Sequence, residues 1–274
     1  MQQINVYPPT TCLEMWLNEP RRAKHSQAPA NLLRLWFPES IMAFDSSDNL
    51  LWQSTYENSG APWRYENLAI GDMKSGRKVH KALVRSHTVD DMALMRCSVR
   101  WEGMEAHLGL AINNISPVPW DRLVTSICLQ RPAAPEYIDE DNSRTFLVSD
   151  GQFVASRDLL FPPDRQMFYG IVGDELSMQD GSKRKLTEEA LFVVSKDERY
   201  VLGFAWRDAH RLFLNRALCV RCLHSDMEIR SIEPKAVTQR RGILFLKEGT
   251  LEEALARYQS WKETSGQDLS INEM

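Results

Sequence analysis

From Asn31 onward the chain is written in short apolar runs broken by turn-forming residues. Leu32-Leu33-Arg34-Leu35-Trp36-Phe37, Ile41-Met42-Ala43-Phe44 and Leu50-Leu51-Trp52-Gln53-Ser54-Thr55 are separated by Pro38 and by Asp45-Ser46-Ser47-Asp48-Asn49. That punctuation predicts strands joined by tight turns. Residues 77–84, 93–101 and 104–112 each have strand length, and Glu102-Gly103 reads as a two-residue hairpin turn. Residues 122–130 are rich in β-branched side chains, 144–149 resume the pattern, and Asp150-Gly151 is a second hairpin signal. Further strands are predicted at 190–195, 200–206, 218–223, 227–232 and 241–247.

One segment follows the helical period. Thr250-Leu251-Glu252-Glu253 is a capping box, and Leu251, Ala254, Leu255, Tyr258 and Trp261 follow on one face. Residues 1–30 carry four of the thirteen prolines and read as an N-terminal arm with a short helix near residues 12–18. Residues 157–188 form the least regular stretch, expected to be a functional or partly disordered loop. The predicted organisation is an arm (1–30), a sandwich domain (31–249), a C-terminal helix packed on it (250–264) and a flexible tail (265–274). Many short strands, one helix and no βαβ alternation make the fold class all-β, a large antiparallel β-sandwich. There is no Gly-x-Gly-x-x-Gly, Walker loop, His-Glu-x-x-His or repeat of 20–50 residues.

Composition narrows the partners. The 274 residues carry 33 basic and 37 acidic side chains, a formal net charge of −4, so no global basic field favours nucleic acid or an anionic membrane. No apolar stretch approaches the ~18–20 residues of a membrane span. The N-terminus lacks a basic segment followed by an apolar run, so a cytoplasmic location is expected. The five cysteines (12, 97, 128, 219 and 222) suit reduced thiols better than a disulfide framework. Cys219 and Cys222 form a Cys-x-x-Cys whose flanks alternate like a strand. Zinc would need four ligands and no second cysteine pair exists; Cys128 or His224 could be recruited, but the spacing does not require it. Both are therefore read as buried strand cysteines, and no metal or cofactor is expected.

Two sets of motifs carry a resemblance. One runs from Trp120 through Cys128-Leu129-Gln130, Ala134-Pro135-Glu136 and Arg144-Thr145 to Asp150-Gly151. The other runs from Trp206 and Asn215 through Cys222-Leu223-His224-Ser225-Asp226 and Arg241-Gly242-Ile243-Leu244-Phe245 to Glu248-Gly249-Thr250-Leu251 and Arg257-Tyr258. Over residues 95–260 the chain resembles uncharacterised bacterial proteins of sugar-catabolic context and the galactose-mutarotase-like supersandwich. That resemblance implies a carbohydrate as partner. Related sequences place Pro after the His-x-Asp and a Pro-Gly before the last strand; here Met227 and Pro234-Lys235-Ala236 stand instead.

Epimerisation and β-elimination both need a positioned acid and base. His224 and Asp226 stand two apart on a predicted strand, so both side chains project to one face, where the carboxylate can orient the imidazole. His107, with Glu105 two before it, is the expected second catalytic group. Trp206, Trp63 and Tyr137 fall at strand ends or loops and are candidate sugar platforms. Arg144 and Arg64 are candidate partners for a uronate carboxylate, and Asn114 for sugar hydroxyls. The expected function is acid–base proton transfer on a sugar or sugar acid, of epimerase or β-elimination lyase type. The alternatives are a non-catalytic carbohydrate-binding sandwich and a metal-dependent enzyme using His80, His107 or His224 with carboxylates. Neither nucleic acid nor membrane is an expected partner, and a homodimer is left open.

Overall fold

Period-two alternation gives every strand two faces, and the chain stacks those faces into layers. The structure, a computed structural model, describes residues 3–7, 12–18, 31–55, 61–70, 78–161, 166–217 and 221–265. The first strands are β1 (Gln3–Tyr7), β2 (Leu13–Asn18), β3 (Asn31–Phe44), β4 (Leu50–Thr55) and β5 (Arg64–Ile70). Next come β6 (Lys78–Val89), β7 (Ala93–Glu102), β8 (Glu105–Asn114), β9 (Trp120–Ala133), β10 (Thr145–Ser149) and β11 (Gln152–Ala155). After them run β12 (Met167–Ile171), β13 (Glu175–Ser177), β14 (Lys183–Lys185), β15 (Ala190–Val194) and β16 (Tyr200–Trp206). The last are β17 (Ala209–Asn215), β18 (Cys222–Ile232), β19 (Val237–Glu248) and the helix α1 (Leu251–Thr264).

The strands build an 8-stranded sheet, ordered β1-β2-β3-β9-β18-β17-β12 with β4 beside β3. A 9-stranded sheet is ordered β11-β10-β15-β16-β19-β8-β7-β6-β5, and β13-β14 form a separate hairpin. Every strand pair in the two large sheets is antiparallel. The main core lies between them, with Leu33, Leu35, Ile127 and Leu129 from one sheet and Leu108, Leu110, Leu202 and Leu244 from the other. The chain is an all-β antiparallel sandwich, as the strand pattern predicts. Asp150 (φ +50°) and Gly151 (φ +75°) are both left-handed, the conformation a two-residue hairpin turn requires.

A second apolar cluster covers the outer face of the 9-stranded sheet. Phe192, Val201, Ala205 and Phe245 meet Ala254, Tyr258 and Trp261 of α1 there. The predicted capping box is formed: the Thr250 N–H donates to Glu253 Oε2 (2.8 Å) and the Glu253 N–H to Thr250 Oγ1 (3.3 Å). Thr250→Ala is expected to cost about 1 kcal/mol of stability, read as a lowered denaturation midpoint.

Three local expectations are corrected. Residues 13–18 are not helical but a strand, with Leu13, Met15 and Leu17 buried on alternate positions. The irregular stretch 157–188 contains β12, β13 and β14. The separate strands predicted at 218–223 and 227–232 are replaced by one strand through Asp226, so His224-Ser225-Asp226 is mid-strand and no turn interrupts it. The tail 266–274, the Pro-rich part of the arm with His25, and Cys219 lie outside the described residues. Among the described residues no helix is long and apolar enough to cross a membrane.

Candidate active site

Alternation along β18 divides chemistry from packing. Leu223, Met227 and Ile229 enter the main core. Cys222, His224 and Asp226 point to the opposite face of the 8-stranded sheet, where Cys222 packs with Cys128, Phe213 and Trp36. Neighbouring strands deliver the rest by register. In β9, Cys128 stands opposite His224. In β17, Phe213 stands opposite His224 and Arg211 opposite Asp226. β3 is irregular between Trp36, paired with Cys128, and Ser40, paired with Ser126. Phe37 in that irregularity turns into the core, while Glu39 reaches the site.

Cys222, His224, Asp226, Arg211, Phe213 and Glu39 line a cleft of about 290 Å³ with Tyr169, Asn215 and Ser126. His224 Nδ1 lies 3.0 Å from Ser126 Oγ, and the Ser126 hydroxyl donates to Glu39 Oε2 at 3.1 Å. His224 Nε2 lies 3.1 Å from Cys222 Sγ. Asp226 Oδ1 is 3.6 Å from Nδ1, too far for a hydrogen bond, so it acts on the imidazole through charge. That carboxylate is itself fixed: Oδ1 accepts the Ile127 N–H (3.0 Å) and Oδ2 accepts from Arg211 Nη2 (2.8 Å). The Phe213 ring stands edge-on to the imidazole, 4.6 Å between centroids.

Electrostatics favour a charged histidine. Burial penalises the imidazolium, but Asp226 and Cys222 outweigh it and raise the His224 pKa from 6.5 to about 10. The Cys128 thiol donates to Cys222, and His224 adds its charge; against burial, they lower the Cys222 pKa to about 6. Cys128, the donor, is pushed up. The arrangement is a line of hydrogen-bonding groups, Cys222–His224–Ser126–Glu39, running from a buried thiol to a carboxylate 40% exposed at the cleft. Such a line can hold a proton and deliver it to a bound molecule.

Of the residues singled out from sequence, His224 and Asp226 meet in this cleft and the others do not. His107 lies on β8 in the other sheet, on the side away from the core, so the whole sandwich core separates it from His224. Its Nε2 is 3.3 Å from Glu105 Oε2. Trp206 is fully buried against Phe37, and Tyr137 is buried. Asn114, also fully buried, donates to the carbonyls of Val118 (2.9 Å) and Ile232 (3.0 Å) and so ties a loop to β18. Arg144 donates to the carbonyls of Glu136, Val194 and Ile138. Trp63 packs partly buried near Phe37, and Arg64 is exposed on β5. Sequence alone missed Glu39, Ser126, Tyr169, Arg211, Phe213 and Asn215. The usable signal was the spacing Arg211-x-Phe213-x-Asn215, one face of the strand preceding β18.

The His107 neighbourhood has a structural consequence instead. Arg257 Nε and Nη2 grip both Glu105 oxygens at 2.5 Å. Burial opposes the carboxylate, but His107 and Arg257 prevail and lower the Glu105 pKa from 4.5 to about 2. A depressed carboxyl pKa stabilises the fold above the unfolded value, and that stability is lost as pH falls from 4.5 towards 2. With the side chain about a quarter exposed, solvent screening leaves roughly 1–2 kcal/mol. Glu105→Gln should therefore be less stable than the parent at pH 7 and converge with it near pH 2 in acid-unfolding curves.

No family model matches the chain. No curated protein matches it either. Among solved structures, it is similar to a galactose mutarotase related enzyme from Lactobacillus acidophilus (8% identity, 90% of this chain and 98% of that one, TM-score 0.47). It is similar likewise to a galactose mutarotase-like protein from Lactobacillus casei (7% identity, 89% and 100%, TM-score 0.43). An α-galactosidase from Lactobacillus brevis shares 10% identity over 98% of this chain and 36% of that one, with a TM-score of 0.47.

Proposed function

We propose that the protein is a carbohydrate-active enzyme that moves a proton to or from a sugar or sugar acid held in the His224 cleft. The observation that supports this reading is the hydrogen-bonded line His224–Ser126–Glu39, which ends on an accessible carboxylate beside Tyr169, Asn215 and Arg211. Tyr169, half exposed, tilted against Phe213 at 4.6 Å and with the Arg211 guanidinium 5.3 Å from its ring centroid, offers aromatic surface to the apolar C–H side of a pyranose. Asn215 and Arg211 line the same cleft and offer donors to hydroxyl or carboxylate oxygens.

Glu39 is the group that meets the reacting proton. His224 is its proton reservoir, charged because Asp226 and Cys222 hold it so. Epimerase-type proton transfer needs one group to protonate the ring oxygen of a sugar while a hydroxyl is deprotonated. Lyase-type chemistry needs a base at the carbon beside a carboxylate, with Arg211 beside it as the anion partner.

The test is a panel of neutral aldoses and uronates, following anomer interconversion by NMR exchange and unsaturated product by ultraviolet absorbance. Turnover of any member supports the enzyme, and the product separates epimerase from lyase. Saturable binding without turnover by any member would instead favour a non-catalytic carbohydrate-binding protein.

A further inference from the structure

We propose that Cys128, Cys222 and His224 form a binding site for one thiophilic cation of the Zn²⁺ class, beneath the cleft. The inference goes beyond the proton-transfer reading and does not rest on it. Cys222 Sγ, Cys128 Sγ and a ring nitrogen of His224 all lie within 4.8 Å of one another, and all three residues are buried. Bond lengths of ~2.3 Å to sulfur and ~2.0–2.1 Å to nitrogen at a tetrahedral centre put such donors about 3.5–3.8 Å apart. The observed 3.1 Å between Cys222 Sγ and His224 Nε2 needs only a few tenths of an ångström of opening.

The donors come from two adjacent central strands. Cys222 and His224 stand two apart on β18, and Cys128 faces His224 across the ladder on β9. The sheet therefore fixes the cluster without any loop having to fold around the metal.

The surroundings are those a metal site needs. Histidine ligands usually donate their second ring N–H to an oxygen, which sets the tautomer and the ring orientation. Here Nδ1 has Ser126 Oγ at 3.0 Å and the Asp226 carboxylate at 3.6 Å, leaving Nε2 to the cation. Trp36 and Phe213 pack on the thiols and exclude water. Two thiolates and one imidazole make a soft donor set that suits Zn²⁺ rather than Mg²⁺ or Ca²⁺. Cys222 and His224 also line the cleft, so the fourth position faces a bound molecule, as in three-ligand catalytic sites. Binding displaces the Cys128 thiol proton and the Nε2 proton; His224 is then neutral, with its Nδ1–H still donating to Ser126, so the metal-bound form does not hold the imidazolium that the proton-transfer reading uses.

The test uses the full chain, reduced and metal-free, titrated with Co²⁺ and followed by absorption. A thiolate-to-cobalt charge-transfer band with tetrahedral visible bands, saturating at one cobalt per chain and abolished by Zn²⁺, is the expected result. Cys222→Ser and Cys128→Ser should each weaken binding at least 100-fold, and Ser126→Ala about 10–100-fold through loss of the support to His224. The wild-type titration depends on no variant folding. Absence of the charge-transfer band with all thiols reduced overturns the site, as does a band that persists when both Cys128 and Cys222 are serine.

Discussion

Trp206→Ala is expected to lower the unfolding free energy by about 3–5 kcal/mol, read as a large drop in the denaturant midpoint. The indole is fully buried between the sheets, 5.1 Å from the Phe37 ring. It lies so close on β19 that a Cβ at Gly242 would fall 2.6 Å from it. Its Nε1 has no hydrogen-bond partner among the described residues, so the loss is one of packing, with a cavity left behind. Trp206→Phe should recover much of the stability, since most of the apolar volume returns. On the proposed reading, sugar binding by the folded fraction should not change, because Trp206 stands between the sheets on β16 of the 9-stranded sheet, whereas the cleft lies on the outer face of the 8-stranded sheet. A variant with parental stability and lost sugar binding would return Trp206 to the role of a sugar platform.

On the proposed proton-transfer reading, Glu39→Gln is expected to slow turnover about 10²–10⁴-fold, equivalent to roughly 3–5 kcal/mol of barrier. The amide keeps the shape and can still meet the Ser126 hydroxyl, but it cannot hold or release a proton at neutral pH. Its side chain is 40% exposed, so the fold should change by no more than ~0.5 kcal/mol. On that reading KM should move much less than kcat, because Tyr169 and Asn215, which line the cleft, would supply the grip. The measurement is the rate of anomer exchange or product formation on whichever sugar the wild type turns over. A Glu39→Gln rate within a few-fold of the parent would remove the carboxylate from the chemistry.

The fold was legible because its signals are local. Apolar runs, turn residues such as Asp150-Gly151 and the Thr250 capping box each report on their own few residues. The site was legible only where it is local too: His224 and Asp226, two apart on one strand, were placed correctly on one face. Glu39, Ser126, Tyr169 and Arg211 come from four other strands and meet through sheet order and register, which no short window contains. The tryptophans misled for a related reason. Trp206 at the end of β16 and Trp63 just before β5 stand where a sugar platform would sit, yet Trp206 is fully buried in the core and Trp63 packs against it. His107 and His224 carry similar patterns, and only the assignment of β8 and β18 to different sheets separates them.

The division of β18 into a core face and a cleft face reaches beyond mechanism. Leu223 and Met227 anchor the strand from below, while Cys222, His224 and Asp226 work above it. A substitution on the upper set leaves the anchors in place. Its cost falls instead on the ties the cleft face makes sideways, from Asp226 to the Ile127 N–H of β9 and to Arg211 of β17.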